Sequence, residues 1–138
     1  MKTLDTLKRI REHEKRRARL ELVKAERRHD AQQARVDRVD ERVDLARAEA
    51  ANDCASIAIY HQFRIQMELL GRRERSFLDE TGRVVEERRD EVATAAREAE
   101  VVALVVEARE EEAALEARRE EEKQLDQLAL DAWIRKVA

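Results

Sequence analysis

Residues 78–106, LDETGRVVEERRDEVATAAREAEVVALVV, carry apolar side chains at a fixed interval, and this interval decides the fold. One set of these positions is spaced seven residues apart and continues one step beyond the quoted stretch. Its members are Leu78, Val85, Val92, Ala99, Val106 and Ala113. Ala95 and Val102 fill alternate positions between them, and the polar interruptions are Thr81, Arg88 and Arg109. A heptad pattern of this kind predicts a long helix that packs against another helix.

A second apolar pattern precedes this one, with alternating steps of three and four residues. It comprises Leu22, Ala25, Val36, Val39, Val43, Ala46 and Ala50, with Ile57 just beyond. Upstream, Leu4, Leu7 and Ala18 fall on a different frame, which predicts a phase shift near residues 10–22. At the other end of the chain the heptad frame fades at Glu120 and Gln127. A new stripe then starts on another face at Leu125, Leu128 and Ala132.

The composition favours continuous helix over a compact enzyme fold. The 138 residues include no Pro and two Gly, with 44% charged and 3% aromatic residues. Without Pro, nothing in the chain interrupts a helix, and such a charged, periodic composition is typical of coiled coils. The net charge is only -3 and opposite charges are interleaved, which argues against intrinsic disorder.

The two apolar patterns are separated by the polar stretch AEAANDCAS, residues 48–56. Asn, Asp and Ser compete with helix and cap helix starts, so we expect a turn at about 52–56, with Ser56 or Asp53 as the cap. Gly71 is the alternative turn. The predicted fold is all-α, with two long helices forming an antiparallel coiled-coil hairpin. The single domain, residues 1–138, would contain helices at about 3–51 and 57–136.

Two helices of roughly 50 and 80 residues differ in length by about 45 Å, at ~1.5 Å per residue, so the second would overhang the first. Residues 1–28 hold 11 Lys and Arg against 5 Asp and Glu, whereas residues 100–122 hold 3 Arg against 9 Glu. The two segments would attract each other where they meet. A core of Val and Ala buries little apolar surface, so we expect an isolated chain to melt below ~65 °C.

Catalytic and metal-binding patterns are lacking in the sequence. His13, His29 and His61 are scattered, and Cys54 stands alone, so no set of ligands has metal-binding spacing. There is no Gly-rich phosphate loop. The Glu-rich run at residues 107–122 is typical of a solvated helix face. We therefore predict a protein that is not an enzyme and needs no cofactor.

The basic run KRIREHEKRRARL, residues 8–20, indicates helix–helix ion pairing or docking on an acidic protein surface. Acidic residues alternate through it and the chain is negatively charged overall, which disfavours nucleic acid as a partner.

No apolar run reaches the ~18 residues of a membrane span, and the N-terminus lacks a signal-peptide pattern. The expected location is the cytoplasm.

The stretch YHQFRIQMELLG, residues 60–71, concentrates the few large apolar side chains of the chain. On a helix, Phe63, Met67, Leu70 and Glu74 form one stripe close to the expected turn. The stripe is either the end of the hairpin's own core or a surface that docks a partner.

Three segments in this order resemble the flagellar FliJ family, the small coiled-coil stalk proteins of the type III export apparatus. They are LDTLKRIREHEKRRA at residues 4–18, YHQF at residues 60–63 and EARREEEKQLDQLALDAWIRK at residues 116–136. The stalk homologues of injectisomes share the architecture, and the LDQLALDAW tail is closer to the flagellar pattern. A purely structural coiled-coil homodimer is the remaining alternative.

The resemblance implies a protein that binds and stimulates the hexameric export ATPase, contacts the cytoplasmic domain of the export gate and escorts export chaperones. It would lie in the cytoplasm, peripheral to the inner-membrane export apparatus, without inserting into the membrane. The gate contact of the family falls on Phe63, Met67, Leu70 and Glu74, of which Phe63 matches an aromatic anchor and Glu74 differs in charge. We hypothesise that the paired helix ends contact the ATPase ring. The residues at these ends are Arg9, Arg11, Lys15, Arg16, Arg17, Leu125, Asp126 and Leu128.

Overall fold

A computed structural model describes residues 2–53, 55 and 57–138. They form two helices, α1 (Lys2–Asn52) and α2 (Ile57–Val137), which pack against each other as the predicted helical hairpin. Gly71, the alternative turn, lies inside α2. Both helices are long because no Pro interrupts them and because Ala, Glu and Arg, which favour helix, dominate their sequences.

The connection between the helices is short and polar. α1 ends at Asn52, and the carboxylate of Asp53 accepts a hydrogen bond from the backbone N–H of Ala55 at 3.0 Å. An Asp side chain that bonds the backbone two residues on stabilises a turn in place of helix. Cys54 and Ser56, the second predicted cap, lie outside the described residues.

The chain divides into two compact units, of which Glu14–Ala95 contains the bend. Within this unit the helices run antiparallel, since Arg47 bonds Tyr60 next to the bend and His29 bonds Thr81 farther from it. The heptad seam supplies its core. The buried apolar residues are Ala25, Val36, Val39, Ala50 and Val85. Leu22, Val43, Ala46, Leu78, Val92 and Ala95 from the same predicted patterns are half-buried.

The second unit comprises Met1–His13 and Ala96–Ala138. Ala99 and Val106 are buried in it, and Arg11 forms an ion pair with Glu98 at 2.9 Å. Every residue from 107 to 138 is exposed except Asp131, which is half-buried. The prediction that Ala113 belongs to the core was therefore wrong. α1 begins at Lys2, nine residues before Arg11, so no part of α1 that the structure describes reaches far enough along α2 to cover Ala113.

Candidate functional site

The predicted gate stripe lies on the side of α2 that faces α1. Phe63, Met67, Leu70 and Glu74 are all half-buried. Helical spacing puts the four side chains on one face, and the antiparallel packing of unit Glu14–Ala95 turns that face towards α1. The stripe therefore contributes to the packing of the hairpin, and its assignment to a gate contact stays a prediction.

Part of the stripe remains accessible in an open groove of about 360 Å³ next to the bend. Phe63 lines this groove from α2, together with Ile59, which is 71% exposed. Leu45, 67% exposed, and Ala46 face them from α1. The groove thus presents apolar side chains of both helices to solvent, a surface that suits an amphipathic helix from a partner. We call it the bend groove.

The polar end of the stripe is held inside the hairpin. Gln32 is only 8% exposed, and its side-chain amide donates one hydrogen bond to the backbone carbonyl of Glu74 at 2.9 Å and a second to the Glu74 carboxylate. Among the described residues, no buried side-chain polar atom lacks a hydrogen-bond partner. Glu74 therefore connects the two helices, in addition to any contact it makes with a partner.

Other polar contacts also join the helices of this unit. Thr81 donates its hydroxyl hydrogen to the carbonyl of Leu78 at 2.9 Å, so its oxygen accepts the hydrogen bond from His29 Nδ1 at 3.0 Å. Nearer the bend, Arg47 Nε donates to the hydroxyl of Tyr60 at 3.3 Å, and this hydrogen bond raises the pKa of Arg47. His29 Nδ1 is thus bonded within the helix pair.

The residues predicted to contact an ATPase ring do not form one cluster. Arg11 is tied to Glu98, whereas Leu125 and Leu128 lie 27 and 30 residues farther along α2 and are 64% and 65% exposed. At ~1.5 Å per residue, Leu125 is about 40 Å from the Arg11–Glu98 pair. Asp126 is exposed beside Leu125, and Arg9 is exposed on α1.

The other predicted basic residues lie in unit Glu14–Ala95. Arg16 and Arg17 are exposed, and Lys15 is half-buried. Exposed guanidinium groups remain available to acidic surfaces. These residues therefore stay candidates for a partner contact that is separate from the tail contact.

The tail of α2 carries an apolar surface larger than the two leucines singled out from the sequence. We call residues 125–137 the apolar tip. Its exposed apolar residues are Leu125, Leu128, Leu130, Trp133, Ile134 and Val137. A helix segment with apolar side chains around most of its circumference is normally buried against something. The sequence analysis did not single out four of these residues, which lie on a different face from Leu125 and Leu128. Their spacing of three and four residues is the signal that could have identified them. They are Leu130, Trp133, Ile134 and Val137.

A strongly polar helix precedes the apolar tip. Residues 107–124 contain eight Glu, three Arg and one Lys, and Leu115 is their one large apolar side chain. All of them are exposed. This segment, which is about 27 Å long at ~1.5 Å per residue, places the apolar tip away from the part of α2 that α1 covers.

No group of three His, Cys, Asp or Glu in the described residues is arranged to hold a metal ion. His13 and His61 are exposed, and the ring of His61 packs against that of Tyr60 at 5.8 Å. No helix of the described part is both long and apolar enough to span a bilayer.

These features define an all-α helical hairpin whose candidate sites are exposed surfaces for other macromolecules. The sequence model for the flagellar FliJ protein matches residues 1–138, and the chain therefore belongs to the flagellar FliJ family. Neither the curated proteins nor the solved structures provided a match. Membership of this family makes the chain a protein related to flagellar export.

Proposed function

We propose that the chain is the stalk-like component of a flagellar type III export apparatus. In this role the chain would bind the hexameric export ATPase and stimulate it. Its place would be in the cytoplasm, peripheral to the inner-membrane apparatus. The observation that carries the proposal is the family match over residues 1–138, combined with an exposed apolar tip at the end of a polar helix. The role is non-enzymatic, because the chain would act by binding and not by chemistry.

The apolar tip is the part that we assign to the ATPase ring. Its six large side chains are 50–67% exposed, so binding would bury apolar surface that is now in water. Anchors of this kind dominate the affinity of helix-in-groove interfaces. The side chains of the polar helix before the tip, residues 107–124, are in contact with water. This helix could therefore enter a water-filled ring pore and stay hydrated there.

The tip assignment is tested with purified export ATPase and variants of the tip. Replacing Leu125 and Leu128 with Asp should abolish stimulation of phosphate release, because two charges would enter the apolar contact. Leu69→Asp is the matched control, since Leu69 is 64% exposed on an outward position of α2 outside the proposed contacts. Full stimulation by the double variant would refute the assignment.

Arg16 and Arg17 are the second element of the proposed ATPase contact. Both are exposed, so Arg16→Glu with Arg17→Glu removes positive charge without disturbing the core. Stimulation should weaken, and the loss should diminish in high salt, because salt screens exposed charges. The same stimulation by this variant and by the unmodified chain would remove the two arginines from the proposal and leave the tip as the contact.

We also propose that the bend groove receives the cytoplasmic domain of the export gate. Of the predicted stripe, Phe63 would form its floor, and the exposed Leu45 and Ile59 would form its rim. The floor is half-buried, so variants of it can disturb the hairpin. Leu45→Glu with Ile59→Glu should abolish capture of the gate domain and leave helicity unchanged, whereas Ile65→Glu, on an outward position that is 61% exposed, should not. Capture that persists in the double variant would refute the groove as the gate site.

Escort of export chaperones completes the proposed role. It is supported by family membership, and no particular surface of the described residues is assigned to it. Co-purification of a flagellar export chaperone with the full chain would test it directly. Failure of every chaperone of the same flagellar system to bind, under conditions where the ATPase binds, would contradict the escort role.

A further inference from the structure

The outer face of α1 carries a row of arginines spaced eleven residues apart. We call Arg16, Arg27 and Arg38 the basic row, and all three are exposed. Eleven residues make almost three turns of helix, so the three side chains lie along one side over about 33 Å. Ala25 and Val36 project from the opposite side of the same helix and are buried in the hairpin. The basic row therefore faces solvent.

α2 carries a row of glutamates with the same interval. We call Glu100, Glu111 and Glu122 the acidic row, and all three are exposed. They project away from Ala99 and Val106, the buried residues of this part of α2. Within the described part of the chain, no residue of either row takes part in an ion pair. The chain thus presents two rows of opposite charge and equal spacing to solvent.

The apolar residues between the charges also correspond. In each row, an apolar residue follows the first charge and the second charge at a distance of four positions. Leu20 and Ala31 occupy these positions on α1, and Leu104 and Leu115 occupy them on α2. Ala31 is exposed, and the three leucines are 52–62% exposed. A spacing of four residues keeps each apolar side chain on the same face as the charge before it.

We propose that the basic row of one copy binds the acidic row of a second copy, with α1 and α2 parallel and Arg16 level with Glu100. Each arginine of the basic row then lies beside one glutamate of the acidic row. The apolar residues that follow the charges meet in the same register, so apolar surface is buried between the ion pairs. A second copy is the partner that the sequence specifies, because both rows share one interval and one order of charged and apolar residues.

Charges beside the rows select the parallel direction. In this direction Asp30 lies near Arg119 at one edge of the contact, and Arg42 lies near Glu121 at the other. All four side chains are exposed. In the antiparallel direction Asp30 would lie near Glu110, where like charges repel. The edges therefore favour the same direction as the order of residues within the rows.

The contact is expected to be weak. Exposed ion pairs contribute little each, and Asp37 would lie near Asp126 at one edge, where like charges repel. Association should therefore depend on concentration and decrease with salt. The two rows are different surfaces, so the contact is heterologous and leaves one row of each copy free. The inference does not depend on the export role, since the isolated chain suffices to test it.

Sedimentation equilibrium of the full chain at low salt, from low micromolar to near-millimolar concentration, is the first test. The unmodified chain should associate, and Arg16→Glu with Arg27→Glu should weaken the association about ten-fold or more, since two attractions become repulsions. Arg72→Glu with Arg83→Glu is the matched control, because these exposed arginines have the same interval and the same change in charge, and it should associate normally. A monomer at every concentration, or equal association of the two variants, would overturn the proposal.

A mixture of two charge-reversed variants tests whether the two rows pair with each other. Glu100→Lys with Glu111→Lys should not associate by itself, because both of its rows would be basic. Mixed in equal amounts with the Arg16→Glu, Arg27→Glu variant, it should associate as the unmodified chain does, since the two reversed rows attract each other. A mixture that stays monomeric where the unmodified chain associates would contradict the pairing.

Disulfide formation tests the direction and the register. With Cys54→Ser in place, a chain with Ala31→Cys should cross-link to a chain with Leu115→Cys on mild oxidation, because a disulfide requires Cα atoms about 4.4–6.8 Å apart. Val23→Cys is the control, since the parallel register places it about 12 Å along the axis from Leu115→Cys, whereas the antiparallel direction would bring the two together. Cross-linking of Ala31→Cys but not of Val23→Cys supports the proposal. Cross-linking of Val23→Cys, or of neither in an associated sample, overturns it.

Discussion

Replacing Gln32 with Ala is the most informative change within the hairpin, because it removes one polar link between the helices. The Gln32 amide donates to the backbone carbonyl and to the carboxylate of Glu74, and the side chain is 8% exposed. Gln33, its neighbour, is exposed and donates a hydrogen bond to Asp37 on its own helix, at 3.0 Å. The two positions therefore form a matched pair that differs in burial and partner.

The expected cost follows from the two hydrogen bonds. A buried neutral hydrogen bond contributes ~0.5–1.5 kcal/mol, and one to a charged group ~1.5–3 kcal/mol. Ala is a slightly better helix former than Gln, which offsets a few tenths of a kcal/mol. We expect Gln32→Ala to lower the free energy of unfolding by about 2 kcal/mol, or Tm by roughly 8 °C. Gln33→Ala should cost no more than ~0.5 kcal/mol.

Urea unfolding of both variants, followed by circular dichroism in dilute solution, measures this difference. A double-mutant cycle with Glu74→Ala should give a coupling of about 1 kcal/mol or more between positions 32 and 74. Equal destabilisation by Gln32→Ala and Gln33→Ala, or no coupling to Glu74, would refute the conclusion that this pair joins the two helices.

Three further predictions concern the packing and charge of the hairpin. Val85→Ala should lower the free energy of unfolding by about 1.5 kcal/mol because Val85 is 5% exposed. Val101→Ala, at a position that is 59% exposed, should lower it by less than ~0.5 kcal/mol in dilute solution. The urea midpoints of the two variants test this difference, and equal midpoints would contradict it. Gly82→Ala should raise the free energy of unfolding by ~0.5–1 kcal/mol, since the new Cβ would meet its nearest neighbour at an ordinary 3.4 Å; a lower Tm would contradict this. Arg11→Ala should cost under ~1 kcal/mol, because its ion pair with Glu98 is partly exposed, and this cost should be smaller in high salt; a cost that salt does not change would contradict the assignment.

The fold could be predicted because one physical rule, burial of a periodic apolar face, dominates it. Val85, Ala99 and Val106 follow the heptad and are buried. The rule failed at Ala113, since a periodic position is buried only where a second helix reaches it. How far α1 covers α2 depends on the length of α1 and on the register of the two helices. The local spacing of apolar residues does not reveal either of these.

The candidate sites were less predictable than the fold. Helical spacing places Phe63 and Met67 on one face correctly, but it does not tell what covers that face, and α1 covers much of it. The stretch VVALVV, residues 101–106, contains the buried Val106 beside the exposed Val101, Leu104 and Val105. The heptad pattern alone does not distinguish the buried apolar residues from the exposed ones in such a run. Trp133 lay outside the predicted stripe because it projects from another face of the tail.

Hydrogen exchange of the backbone amides, measured on the full chain in dilute solution, tests most directly whether α1 covers α2 only as far as about residue 106. Protection follows the free energy of local opening, which packing against a second helix raises. Amides of residues 85–106 should exchange at least about ten-fold more slowly than those of residues 107–137. Equal protection along the whole of α2 would contradict the account, because it would mean that the acidic segment and the apolar tip are already covered in the isolated chain.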